Sequence, residues 1–271
     1  LNKILAALLL LALLSTELAA AEMVAAEPAT AEPATAEPAA PDWQEFGARY
    51  SLYRNGKLAG KAEIKLQQEG ERWTMSTEGN GTHGLARVLR VRDRELAQGR
   101  MVDGRFRPQR FEHRVSVAGI GNSWTALFDW EADTVTVVSG DENLRMDLQG
   151  RALDGLSLKL EMQRRLRAGE DDMQFWLVDE DEIKMQEFRV LPTEMLETSL
   201  GCLETIPVER IRSADSTRYT RAWHAPALQY LTVRLEHGKT DGDQMEMRIA
   251  ELKLNHEDYT PGMGCSALQS G

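Results

Sequence analysis

The chain has 271 residues and a formal net charge of −11. Its first 41 residues set Lys3 against five glutamates and hold −4 of that charge, leaving −7 on the remainder. Charge of that sign repels phosphate backbones and argues against nucleic acid as a partner.

Lys3 precedes an unbroken apolar run from Ile4 to Leu14, and Ala19-Ala20-Ala21 follows as a small-residue cleavage site. This is the three-part plan of a secretory signal peptide over residues 1–21. The run is too short for the ~20 residues that span a bilayer. No cysteine stands near the site, so the expectation is a non-lipidated protein exported to the periplasm, with no transmembrane segment after signal removal. Residues 22–41 repeat Ala-Glu-Pro-Ala-Thr. Proline at every fifth position blocks a helix and there is nothing large to bury, which predicts an extended, disordered linker.

A single domain is expected over residues 42–262, about 220 residues and enough for a sizeable core, with a C-terminal tail over 263–271. Alternation of period two dominates it, as in Lys61 to Leu66 and Leu231 to Glu236. Asn55-Gly56 between two alternating runs predicts a tight hairpin. The parity switch between Met245-Met247-Ile249 and Leu252-Leu254 predicts a bulge near Ala250. The pattern predicts a mainly β fold: one antiparallel curled sheet, or an open or spiral β-barrel, of about twelve strands with two short helices.

The first helix falls in GNGTHGLARVLRVRDR, residues 79–94, where Gly79, Gly81 and Gly84 have the G-x-G-x-x-G spacing of a dinucleotide loop. That fingerprint needs a βαβ unit and a long helix after it, and both are missing here. The glycines read instead as backbone hinges around a short amphipathic helix carrying Leu85, Val88 and Leu89 on one stripe. In the strand that follows, Arg92 and Arg94 share one face and Asp93 takes the other, which predicts a buried carboxylate paired with an arginine from a neighbouring strand. The second helix covers Leu156 to Arg167, with Asp154 or Ser157 as N-cap and Gly169 just beyond its end.

Constellations for chemistry are scarce. There is no G-x-S-x-G elbow, and the five histidines show no zinc spacing. The acidic runs Glu170 to Asp172 and Asp179 to Glu182 read as solvated hairpin tips. No catalytic residue, metal or cofactor is assigned. The six tryptophans supply a sugar or lipid cleft or, more commonly, core. Cys202 and Cys265, in an oxidising compartment, predict a structural disulfide worth about 4 kcal/mol for the segment it closes.

Several stretches resemble one exported bacterial family, the domain of unknown function 3108. Gly84 to Arg94 (GLARVLRVRDR) is similar to its T-G-L-A-x-x-x-Y-R-V-R-D-R-Y segment, and Phe106 to Arg114 (FRPQRFEHR) to its L-R-P-x-R-Y-E-H-R strand. Leu196 to Thr205 (LETSLGCLET) is similar to L-E-T-P-L-G-T-x-x-T, and Trp223 to Arg234 (WHAPALQYLTVR) to W-L-A-P-D-x-x-Y-L-P-V-R. The chain departs at Leu89, Cys202, His224 and Ala227. The resemblance implies a periplasmic, β-rich fold with no agreed activity. Three readings of function follow. The first is a non-enzymatic binding protein for an apolar or amphipathic envelope component such as lipid, with Leu85, Val88 and Leu89 facing a cavity under a helical lid, Arg87 and Arg90 facing headgroups or solvent, and Trp223 as a further ligand contact. The second is a scaffold for another envelope protein or peptidoglycan. The third, a glycan-active enzyme, requires facing carboxylates in a tryptophan-lined cleft.

Overall fold

The computed structural model describes residues 43–148 and 151–268; the expected signal peptide and repeat linker lie outside the described residues. The chain first runs through eight strands: β1 (Phe46–Arg54), β2 (Lys57–Glu69), β3 (Arg72–Gly81), β4 (Arg92–Val102), β5 (Arg105–Val117), β6 (Ile120–Asp129), β7 (Thr134–Ser139) and β8 (Glu142–Asp147). Helix α1 (Gly84–Val88) interrupts them after β3, and helix α2 (Gly155–Arg167) follows β8. Eight more strands follow: β9 (Asp172–Val178), β10 (Ile183–Val190), β11 (Glu194–Thr198), β12 (Gly201–Arg210), β13 (Arg218–Ala225), β14 (Leu231–Lys239), β15 (Gln244–Leu254) and β16 (Glu257–Asp258). A last helical turn, α3, spans Cys265–Leu268.

The sixteen strands of the described residues belong to one sheet, in the order β8-β7-β6-β5-β4-β3-β2-β1-β15-β14-β13-β12-β10-β9, with β11 on β12 and β16 on β15. The fold is the expected mainly-β, open antiparallel sheet. Strands exceed the expected dozen because β8, β11 and β16 are short and largely exposed, and so carry no alternating signal. The two ends of the sheet are stitched rather than closed. Leu153 N–H donates to the Trp176 carbonyl and Val178 N–H to that of Leu153, each at 2.8 Å, in one isolated bridge. Beside it, Glu180 on the β9–β10 turn accepts from Ser139 and Asn122.

Local chemistry accounts for the turns. Asn55 and Gly56 take φ of 51° and 72°, the left-handed pair that matches strand twist in a two-residue hairpin. At the other predicted irregularity, Arg49 pairs with Glu251 while Tyr50 pairs with Ile249, so Ala250 is the bulged residue. Inward parity in β4 falls on Asp93, Glu95, Ala97 and Met101, with Arg92, Arg94 and Arg100 outside.

Helix α2 fills the curl of the sheet. Its N-cap is Asp154, whose carboxylate accepts from the backbone N–H of Leu156 and Ser157 at 2.8 and 3.0 Å, while Ser157 Oγ accepts from Asp154 N–H. That capping box typically contributes ~1 kcal/mol. Leu156 and Leu160 pack into the main core, whereas Leu158, Met162 and Leu166 pack against Phe175 and Val208 on the other side. A helix apolar on two sides is buried on two sides.

The disulfide forms as expected between Cys202 on β12 and Cys265, with Cα atoms 4.7 Å apart. Cys202 N–H also donates to the Met263 carbonyl, and Cys265 N–H to the Glu197 carboxylate, so this part of the tail lies along the β11–β12 hairpin.

Candidate functional site

The lid of the curled sheet is α2, not α1. Helix α1 stands outside, over the ends of β2 and β3, and turns Ala86 inward. Gly81 decides this orientation: a Cβ there would sit 2.5 Å from the Ala86 carbonyl oxygen, so only glycine lets the helix settle so close. Leu85 and Val88 consequently face solvent, which corrects their expected place in a cavity wall; Leu89 is half-buried against Ala86, Val91 and Val117. Arg87 and Arg90 are exposed, as are Arg92 and Arg94 on the outer face of β4. Trp223 is buried in the core, donating to Glu194 and stacked under Arg221 and Arg234, and it contributes nothing to the cavity wall described next.

Between α2 and the inner faces of both halves of the sheet lies a cavity of about 170 Å³. Its wall is mostly apolar, with Ile64, Phe111, Trp124, Leu158, Met162 and Leu177 as the large contributors. The volume is comparable to the ~150 Å³ engineered cavity that takes benzene.

Polar side chains reach the cavity from several strands. Gln186 and His224 are almost wholly buried, yet both amide atoms of Gln186 and Nε2 of His224 have no hydrogen-bond partner among the described residues. Arg210 Nε and Glu95 Oε2 are in the same condition on the same wall. Each such buried atom costs ~1–3 kcal/mol, so several converging on one cavity require an explanation. His224 Nδ1 lies 2.9 Å from the Tyr230 carbonyl, which assigns the ring proton to Nδ1 and leaves Nε2 as an acceptor. Burial lowers its pKa to about 4, so the ring is neutral and Nε2 keeps its lone pair.

A second polar group crosses the inner face. In register across β3, β4 and β5 stand Thr77, Glu95 and His113, all buried. Asp93 is buried as expected, but its partner is a histidine and not an arginine: His113 Nε2 is 2.8 Å from its Oδ1. The arginines of β4 and its neighbours project outward, where water solvates them, and the inner face carries the smaller imidazole. Burial opposes protonation of His113, but the hydrogen bond and charge of Asp93, with Glu95 and Glu180, outweigh it and raise the pKa. Burial raises Glu95 to about 7, against the opposing pull of Lys159 at 3.7 Å.

The run Asp179 to Glu182 is also not the solvated tip its composition suggests. Asp179 lines the cavity and burial raises its pKa to about 6, because the turn packs at the seam of the sheet. Sequence parity marks Asp93 as inward-facing and marks Glu95 equally, but it carries no sign that Gln186 and His224 meet.

At the opposite end of the sheet a wider cleft of about 880 Å³ contains Trp130, Trp176 and Phe175. Two of its three carboxylates are engaged: Glu161 accepts two bonds from Arg164 at 2.9 Å, and Asp103 lies 3.8 Å from Arg107, while Asp133 also lines the cleft. Among the described residues, no three His, Cys, Asp or Glu side chains are grouped to hold a metal ion, and no helix is long and apolar enough to cross a membrane.

These features define an open, barrel-like β-protein whose curl is filled by one helix and retains a small apolar cavity. The chain belongs to the family described as protein of unknown function (DUF3108), which matches residues 49–248. No curated protein matches it by sequence. Among solved structures it is similar to a beta-barrel-like protein of domain of unknown function DUF1849 from Brucella abortus, at 10 % identity and a TM-score of 0.53, covering 78 % of this chain and 98 % of that one. A candidate lipoprotein from Parabacteroides distasonis aligns at 12 % identity and a TM-score of 0.32, covering 79 % and 97 %. A DUF1329 family protein from Desulfovibrio piger aligns at 10 % identity and 0.22, covering 80 % and 88 %.

Proposed function

We propose that this is a periplasmic, non-enzymatic binding protein that holds a small amphipathic cell-envelope component in the cavity beneath α2. One observation carries the reading: buried polar atoms of Gln186, His224 and Arg210, without hydrogen-bond partners among the described residues, line a mostly apolar cavity. A ligand with a short apolar body and one polar group satisfies both. A hydroxyl or amide donor suits the lone pair of His224 Nε2, and the Gln186 amide both donates and accepts.

Native mass spectrometry of protein purified from its own periplasm tests the reading, followed by solvent extraction of whatever is released. A retained small amphipathic molecule is expected, together with its loss in Ala222→Trp, which fills the cavity from β13. Protein that arrives empty, and takes up acyl probes equally well with and without Ala222→Trp, would sink it.

The scaffolding reading rests on a different feature. Strand β8 ends the sheet with one edge unpaired by any strand among the described residues, and such an edge pairs readily with another chain. A protein or peptidoglycan fragment that co-purifies, and is lost when Leu144→Pro blocks this edge, favours that reading over the first.

A further inference from the structure

One end of the barrel carries a surface the cavity does not use. Among the large apolar side chains left exposed, Leu85 is 64 %, Val88 75 % and Ile120 70 % accessible. They come from two chain segments held together: Ala118 N–H donates to the Leu89 carbonyl, joining the β5–β6 turn to α1. Beneath them Ala86, Val91 and Val117 form a small buried cluster, so the tip is supported from within.

Its two chain segments are basic, in contrast to the chain as a whole, and the acidic β9–β10 turn stands beside them, with Asn122 donating to Glu180 at 3.3 Å. Residues 79–92 and 113–128 contain Arg87, Arg90, Arg92 and Arg114 and no aspartate or glutamate, in a chain with 43 acidic residues and a net charge of −11. Arg87, Arg90 and Arg92 have no carboxylate partner among the described residues, and Arg114 has only Glu112 at 3.9 Å. Two residues here also hold left-handed backbone without being glycine: Arg90 at φ 49° and Ala118 at φ 55°. Such backbone costs ~1–2 kcal/mol per residue, so the shape of the tip is kept against a local penalty.

We propose that this end docks on an anionic phospholipid bilayer, inserting Leu85, Val88 and Ile120 among the acyl chains with the arginines at the phosphate level. An apolar group with neighbouring arginines, three of them without a carboxylate partner among the described residues, fits that interface: hydrocarbon takes the side chains, and headgroup phosphates take guanidinium pairs. The arginines of the tip favour a negatively charged surface over a neutral one. Position adds to the case. Because the ladders are all antiparallel, the end at which β3 and β5 finish is also where β9, β12 and β14 finish. Asp179, Arg210 and His237, on the cavity wall, lie toward that same end. The docking surface and these cavity-wall residues therefore share one end of the sheet.

Vesicle co-sedimentation tests this with the purified protein and two compositions, phosphatidylcholine alone and an equal mixture of phosphatidylcholine and phosphatidylglycerol. Binding is expected to the mixed vesicles only, and to weaken as salt rises. The triple variant Leu85→Ser, Val88→Ser, Ile120→Ser and the double variant Arg87→Glu, Arg90→Glu are each expected to lose at least about tenfold in binding. Thermal unfolding should stay near wild type, since all five side chains are exposed. The proposal is overturned by absent binding, by equal binding to both compositions, or by variants that bind as wild type does. It is equally overturned if the triple variant instead dissolves an oligomer seen by light scattering, which would make the tip a contact between copies. Ala222→Trp should leave vesicle binding intact, so failure of the cavity reading and failure of this one are separable.

Discussion

The imidazole of His113 is tied to the carboxylate of Asp93 at 2.8 Å, and each side chain is only 6 % exposed. The pair bridges adjacent strands on the inner face of the sheet, in a place where neither charge is well solvated. Removing one partner strands the other, which typically costs ~3–5 kcal/mol. His113→Leu is therefore expected to lower stability by about 3 kcal/mol. Adding Asp93→Asn should recover at least about 1 kcal/mol of that loss in a urea-unfolding cycle. Strictly additive single variants would show that the pair is uncoupled.

Glu95 makes the stability depend on pH in a defined direction. Its folded pKa is raised to about 7 from an ordinary 4.5, so the folded state holds the proton longer than the unfolded chain. The associated stabilisation is full below 4.5 and is lost as pH rises through 7. Glu95→Gln should thus raise the urea midpoint above pH 7 and leave it unchanged below 4.5. His224 acts oppositely: with its folded value near 4 against 6.5, it lowers stability as pH falls between those values. His113 has the sign of Glu95, since its raised pKa stabilises the fold at low pH and the contribution is lost as pH rises through the folded value.

At the α1 tip, two substitutions should move stability in opposite directions. Gly81→Ala places a methyl group 2.5 Å from the Ala86 carbonyl and 2.8 Å from its Cβ. Backbone must shift, at ~1–3 kcal/mol, and α1 amides should lose protection from hydrogen exchange. Arg90→Gly relieves left-handed backbone at the residue after the helix C-cap Leu89 and should stabilise by about 1 kcal/mol. The same change removes one of the unpaired arginines, so it should weaken binding to phosphatidylglycerol vesicles while raising the melting temperature.

Reduction of Cys202–Cys265 releases a constraint across 63 residues. A loss of about 4 kcal/mol is expected on the chain-entropy account, seen as a lower urea midpoint for Cys202→Ser, Cys265→Ser. Exchange should rise first along Gly262 to Cys265, whose backbone contacts to Leu200, Cys202 and Glu197 depend on that register.

Much of this architecture was legible in one dimension because its causes are local. Alternation in β2 and β14, the Asn55-Gly56 turn, the bulge at Ala250 and the Asp154 cap each depend on residues within a few positions of one another. So does the inward parity of Asp93, since successive strand side chains point to opposite faces. What lies opposite a residue is a different matter, set by register between strands that the chain brings together from far apart. The parity that buries Asp93 does not name His113, and nothing near Gln186 or His224 announces that both face one cavity. Helix α1 shows the same limit at short range. Its i, i+3, i+4 stripe predicts Leu85 and Val88 inward, but one close approach, Ala86 over Gly81, turns the five-residue helix and leaves both outside. The sequence thus determined the long strands, their turns, the disulfide partners and the face that strand side chains take. Tertiary structure alone decided which helix fills the sheet, which polar groups go unpaired around the cavity, and where an apolar, arginine-ringed tip meets solvent, because each depends on contacts between segments whose distance no local rule encodes.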